Sequence, residues 1–97
     1  MGGRGGGTAT LSASAAEGKV TSAIHDLERR PGAQVGLAPL RERLGLTRDK
    51  ADETLIRLAN AGKIMLSPQD DQKQLGKADR AAAIRFGDRI NHFVSIK

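Results

Sequence analysis

The 97-residue chain contains no cysteine, and its only aromatic residues besides histidine are Phe86 and Phe93. Without cysteine it can form neither a disulfide framework nor a thiolate metal site, which fits a protein of the reducing cytoplasm. No run of about 18 apolar residues occurs, so we expect no membrane span, and the N-terminus lacks the apolar stretch of a signal peptide. The shortage of aromatic rings also disfavours RNA recognition by base stacking.

Motifs of catalysis are equally scarce. No nucleophile motif, phosphate loop or dinucleotide fingerprint is present, and the glycines of residues 2–7 neither follow a strand nor directly precede a helix. His25 and His92 are far apart, and no third residue is spaced with either as a metal motif requires. We therefore expect no enzyme activity, metal, cofactor or small-molecule substrate.

Positive charge is in excess, with a net charge of +5 and a pI of about 10.2. A basic balance favours polyanionic partners, because each neutralised phosphate releases counterions. Residues 63–97 carry seven Lys/Arg against four Asp/Glu, whereas residues 31–62 carry five against four. The surplus therefore lies in the last third of the chain.

Glycine is concentrated at the N-terminus, with five in the first seven residues. Such a stretch buries no apolar side chain, so residues 1–13 are predicted to be a flexible tail or linker. The remainder, residues 14–97, is the length of a single domain.

The first helix is predicted over residues 15–30. Ser14 and Glu17 have the spacing of a capping box. Val20, Ile24 and Leu27 follow at helical spacing and form one apolar stripe.

Two further helices follow a short β-prone piece at residues 35–37. Pro39 suits the first turn of the second helix, and Gly45 its left-handed C-terminal cap. Thr47 is predicted to cap the third helix, in which Leu55 points inward, and Gly62 ends it.

The pattern then changes to the twofold period of strands. Residues 64–67 and 90–97 are predicted to be two strands. About twenty residues separate them, and the alanine-rich stretch 77–85 favours a short helix, followed by a turn at Gly87 and Asp88.

Residues 40–58 are predicted to form a helix, a glycine turn and a second, newly capped helix. A Leu-Ala-Asn-Ala-Gly-Lys-Ile sequence then leads into a strand. This pattern resembles the winged helix-turn-helix superfamily, as seen in MarR-type bacterial regulators, over residues 16–66. The resemblance implies an α+β domain with three helices and a small antiparallel sheet. The segment 67–88 departs from the family pattern, because it is longer than an ordinary wing and begins with acidic residues.

The resemblance implies that the third helix enters the major groove of duplex DNA by its N-terminal half. Arg48 and Lys50 would then donate to guanine or phosphate, while Arg41 and Arg43 would lie near the DNA backbone. The basic residues between the strands, including Arg85 and Arg89, would supply affinity that is independent of sequence. The candidate DNA-binding residues are Arg41, Arg43, Thr47, Arg48, Lys50, Thr54, Arg57, Lys73, Lys77 and Arg80.

Asp49, Asp52 and Glu53 lie on the same predicted helix face and would repel phosphate. The alternative interpretation is a solvated or protein-facing surface. Two hypotheses thus remain: a DNA-binding module of a transcriptional regulator or larger DNA-targeted protein, and a winged helix that binds a protein partner or forms a homodimer.

Overall fold

A computed structural model of the protein describes residues 12–69, 71, 73 and 75–97. This part of the chain contains four helices and five short strands. The protein is therefore of the α+β class. The helices are α1 (Ala13–Leu27), α2 (Leu37–Leu44), α3 (Arg48–Asn60) and α4 (Lys77–Ala82), and the strands are β1 (Val35–Gly36), β2 (Ile64–Ser67), β3 (Ile84–Phe86), β4 (Arg89–Asn91) and β5 (Phe93–Ile96).

The first helix begins and ends earlier than the sequence pattern predicts. Ser12, not Ser14, is the N-cap, and its hydroxyl accepts a hydrogen bond from the Ala15 amide at 3.1 Å. Both serines have capping chemistry, but Ala13 favours the helix and moves the start to the earlier one. At the other end Glu28 is extended, and its carboxylate accepts from the Gly32 amide at 3.2 Å. The prediction that helix 1 continues to residue 30 is therefore wrong. Of the predicted flexible tail over residues 1–13, residues 1–11 lie outside the described residues, whereas Ser12 and Ala13 form the N-cap and the first residue of α1.

The two predicted helices α2 and α3 form and are joined by a short turn. These two helices and their turn are called the helix–turn–helix unit below. Gly45 follows α2 with φ +63°, the left-handed conformation that glycine adopts without steric cost. Thr47 caps α3 by accepting from the Lys50 amide at 3.2 Å. The apolar side of α3 packs inward, and Leu55 is fully buried, as its position in the stripe predicts.

A three-stranded antiparallel sheet covers one side of the helices, with the order β1-β5-β2. In the β2–β5 pair Leu66 lies opposite Val94, and Val35 of β1 meets Val94 from the other side. Val94 is fully buried, so the central strand joins the sheet to the helical core. The core residues are Val20, Ala23, Ile24, Val35, Leu37, Leu40, Leu44, Ala51, Leu55, Leu58, Ile64, Ala82, Ile84 and Val94.

The chain between β2 and β5, residues 68–92, is here called the inserted segment. The predicted short helix is present but ends at Ala82, and Ile84 begins a strand instead. This strand pairs with β4 as an antiparallel hairpin in which Phe86 lies opposite Arg89. Gly87 has φ +65° at the first position of the two-residue turn, where a type II′ turn requires glycine. The prediction of a helix over residues 77–85 is therefore wrong in its last three residues.

The prediction of one continuous strand over residues 90–97 is also wrong. His92 separates β4 from β5, and the two strands belong to different sheets. The His92 amide donates to the Ser67 carbonyl at 2.9 Å, and its carbonyl accepts from the Leu37 amide at 3.0 Å. Alternation in the sequence continues through this junction, but Ile90 is 48% exposed whereas Val94 is buried.

Candidate functional site

The N-terminal end of α3 carries the two predicted base contacts, Arg48 and Lys50. The side chain of Arg48 is half exposed, but it bonds to the C-terminal end of α4. Its Nη1 donates to the Ala81 carbonyl, and its Nη2 donates to the Ala83 carbonyl at 2.7 Å. The guanidinium of Arg48 is thus engaged within the chain.

Arg41 of α2 bonds to the same end of α4. Its Nε donates to the Ala82 carbonyl at 2.8 Å, and its Nη2 donates to Asp52 Oδ1 at 2.5 Å. The Nε of Arg48 lies 3.7 Å from the other carboxylate oxygen of Asp52. Arg41 is only 15% exposed, and its buried Nη1 has no hydrogen-bond partner among the described residues. Arg41, Arg48 and Asp52 together are called the arginine clasp below.

The clasp supplies hydrogen-bond donors to the carbonyl groups at the C-terminal end of α4. The last carbonyl groups of a helix have no intrahelical partner, and the helix dipole favours cations near them. Two guanidinium groups supply three donors to three successive carbonyls, those of residues 81–83. Asp52 balances part of the positive charge that the two arginines bring together. The clasp therefore attaches the inserted segment to the helix–turn–helix unit.

The remaining predicted cations of α2 and α3 also lie beside carboxylates. Arg43 donates to Asp26 at 2.8 Å across α2 and α1. Lys50 Nζ lies 3.6 Å from Glu53, and Arg57 Nε lies 3.6 Å from Glu17 of α1. Helix α3 itself carries three Lys/Arg and three Asp/Glu. Its face toward solvent is consequently close to neutral.

Two threonines of the predicted site have structural partners. Thr47 caps α3, as described above. Thr54 is 2% exposed, and its hydroxyl donates to the Lys50 carbonyl at 2.7 Å. The prediction that Thr54 faces outward is wrong, because the inward stripe of α3 is broad enough to include it between Ala51 and Leu55.

The predicted cations of the inserted segment are exposed to solvent. Lys77 and Arg80 both lie on α4, and Lys73 lies in the chain that leads to it. Residues three apart on a helix share a face, so Lys77 and Arg80 project from the same side of α4. The helix has only one buried residue, Ala82.

The β3–β4 hairpin contains two cationic residues, Arg85 and Arg89, and both are exposed. Arg85 lies opposite Ile90, so these two side chains share one face of the hairpin. No carboxylate of the described residues forms an ion pair with either arginine. Their place in a basic segment is evident from the sequence, but the hairpin that presents them is not among the predicted elements. The signal was the Gly-Asp pair at residues 87–88 between two short β-prone stretches.

The base of the hairpin is fixed by buried polar groups. The Asn91 side-chain amide donates to the Ile84 carbonyl at 3.4 Å and to the Arg89 carbonyl at 3.3 Å. His92 is buried, and its Nδ1 accepts from the Gln69 amide at 3.1 Å. These bonds hold both ends of the inserted segment against the three-stranded sheet.

The described ranges show no arrangement of three or more His, Cys, Asp or Glu side chains that could hold a metal ion. His25 lies on the surface and bonds to Glu28 at 2.8 Å. None of the helices in the described part of the chain has the length and apolar character needed to cross a membrane.

No protein-family model matches the chain, and no curated protein or solved structure matches it.

Proposed function

We propose that the protein is a winged helix-turn-helix module that binds duplex DNA, as part of a transcriptional regulator or of a larger protein directed to DNA. The element order supports this fold assignment. Three helices, with β1 before α2 and β2 after α3, pack on a sheet whose central strand is β5. The inserted segment then occupies the position of the wing.

The observation that carries the DNA-binding proposal is the exposed pair Arg85 and Arg89 on a hairpin beside the helix–turn–helix unit. Neither arginine forms an ion pair with a carboxylate of the described residues, so both guanidinium groups are available to a polyanion. The segment around them, residues 77–97, has five Lys/Arg against two Asp/Glu. The exposed hairpin thus combines net positive charge with an extended shape that fits a DNA groove.

A protein-binding function is the second candidate, and the surface of α3 favours it. Asp49 and Glu53 are exposed there, and the α3 cations lie beside carboxylates. A helix that contacts bases usually presents unpaired donors to the major groove. A near-neutral α3 face instead suits a protein partner or a second copy of this chain.

The test is a titration of the full chain with random-sequence duplex DNA at two salt concentrations, with fluorescence anisotropy as the measure of binding. DNA binding predicts an affinity that falls steeply with salt, with a log–log slope of about −0.9 for each phosphate contacted. An absence of binding even at low salt would contradict the DNA proposal and favour the protein-binding candidate.

A further inference from the structure

We propose that α4 and the β3–β4 hairpin, residues 77–91, form the surface that meets the DNA backbone, and that Arg48 positions this surface instead of contacting bases. This inference rests on the proposed DNA-binding function. It assigns the contact to the inserted segment and gives the first residue of α3 a role inside the protein.

The hydrogen bonds of Arg48 are the first argument. Its two terminal nitrogens already donate to Ala81 and Ala83. Turning the side chain toward DNA would remove these donors from two carbonyls at the end of α4. Because those carbonyls have no partner within the helix, the attachment of α4 would weaken.

The chain connectivity is the second argument. Ala83, which accepts from Arg48, is followed directly by Ile84 at the start of β3. The clasp therefore holds the point from which the hairpin leaves the body of the protein. Asn91 and His92 hold the other end of the hairpin through the bonds described above. A hairpin fixed at both ends loses little conformational entropy when it binds.

The character of the exposed side chains is the third argument. Residues 77–91 present Lys77, Arg80, Arg85 and Arg89 to solvent. On the outer hairpin face, Ile90 is 48% exposed beside Arg85. Cations suit the phosphates beside a groove, and the apolar Ile90 next to Arg85 suits the sugar and base edges within it. Arg89 shares the opposite hairpin face with Phe86 and would meet the phosphates from that side.

The first experiment compares the double variant Arg85→Ala/Arg89→Ala with a charge-matched control, Lys19→Ala/Arg29→Ala. Both pairs remove two exposed cations. We expect the hairpin variant to weaken binding to every duplex alike and to lower the salt slope by roughly two units. The control should keep the wild-type slope. Equal slopes for the hairpin variant and the wild type would overturn the proposed contact surface.

The second experiment separates a positioning role of Arg48 from a direct contact, by comparing Arg48→Ala with Arg48→Lys. Lysine keeps the charge and can bind phosphate, but one ammonium cannot replace the planar fork that reaches two carbonyls. We expect both variants to lose affinity to the same extent, on the order of tenfold, for all sequences. Circular dichroism would verify that both variants keep the helices of the wild type.

Three results would overturn the positioning role or the whole proposal. Arg48→Lys binding like the wild type would show that charge alone is needed. A loss at one base position only, in a comparison of duplex sequences, would show that Arg48 contacts a base. Failure of the wild-type chain to bind any duplex at low salt would contradict the proposed DNA-binding function. This result is distinct from the other two, because it is obtained without any variant.

Discussion

Arg48 Nη2 lies 2.7 Å from the carbonyl oxygen of Ala83, which joins the first residue of α3 to the residue that precedes β3. This bond spans 35 positions of the sequence. Arg48 is predicted from the sequence to contact DNA at the start of α3, but in the structure it bonds to another part of the chain. The side chain is half exposed, yet its donors serve the inserted segment.

Arg41 should contribute far more to stability than its neighbour Arg43. Arg41→Ala removes two charged hydrogen bonds from a largely buried site, one of them to Asp52. We expect a loss of about 2–3 kcal/mol in the free energy of unfolding. Arg43→Ala breaks an ion pair whose two side chains are 51% and 52% exposed, so its loss should be below about 1 kcal/mol. Urea unfolding measures both, and equal losses would contradict the clasp.

Ser12 and Ser14 provide a test of where the protein begins its first helix. Ser12→Ala removes the acceptor of the Ala15 amide and should destabilise the protein by about 0.5–2 kcal/mol. Ser14 is exposed inside α1, where alanine is the better helix former, so Ser14→Ala should be neutral or slightly stabilising. Thermal unfolding of the two variants decides between them. A larger effect at Ser14 would restore the helix start that the capping-box spacing predicts.

Two glycines should respond in opposite directions to the same substitution. Gly18 lies within α1, and an added Cβ would meet no atom within 4 Å. Gly18→Ala should stabilise the protein by about 0.5–1 kcal/mol. Gly45 has φ +63° at the turn between α2 and α3, so Gly45→Ala should cost about 1–2 kcal/mol. Urea unfolding of both variants checks the sign, and stabilisation by Gly45→Ala would contradict the left-handed turn.

The local features of the fold are predictable from the sequence. Gly45, Thr47 and the spacing around Leu55 each act within a few residues, so the helix–turn–helix unit forms as expected. The short strands β1 and β2 also lie where the β-prone stretches place them.

The features that depend on distant contacts are not predictable in this way. The bonds from Arg41 and Arg48 to α4 join residues more than 30 positions apart. Ile84 follows an alanine-rich run that favours helix, and only pairing with Asn91 makes it a strand. The candidate site differs from its prediction for the same reason, because the partner of each arginine is set by the packed fold.

The most direct test of the proposed contact surface is an NMR titration of the isotopically labelled full chain with a random-sequence DNA duplex. The account predicts that amide shifts change most in α4 and the hairpin, residues 77–91, and that the exposed amides of α1 change little. The Arg85→Ala/Arg89→Ala variant should show much smaller changes at the same DNA concentration. Shifts centred on residues 48–53, with the hairpin unaffected, would contradict the account and return the DNA contact to α3.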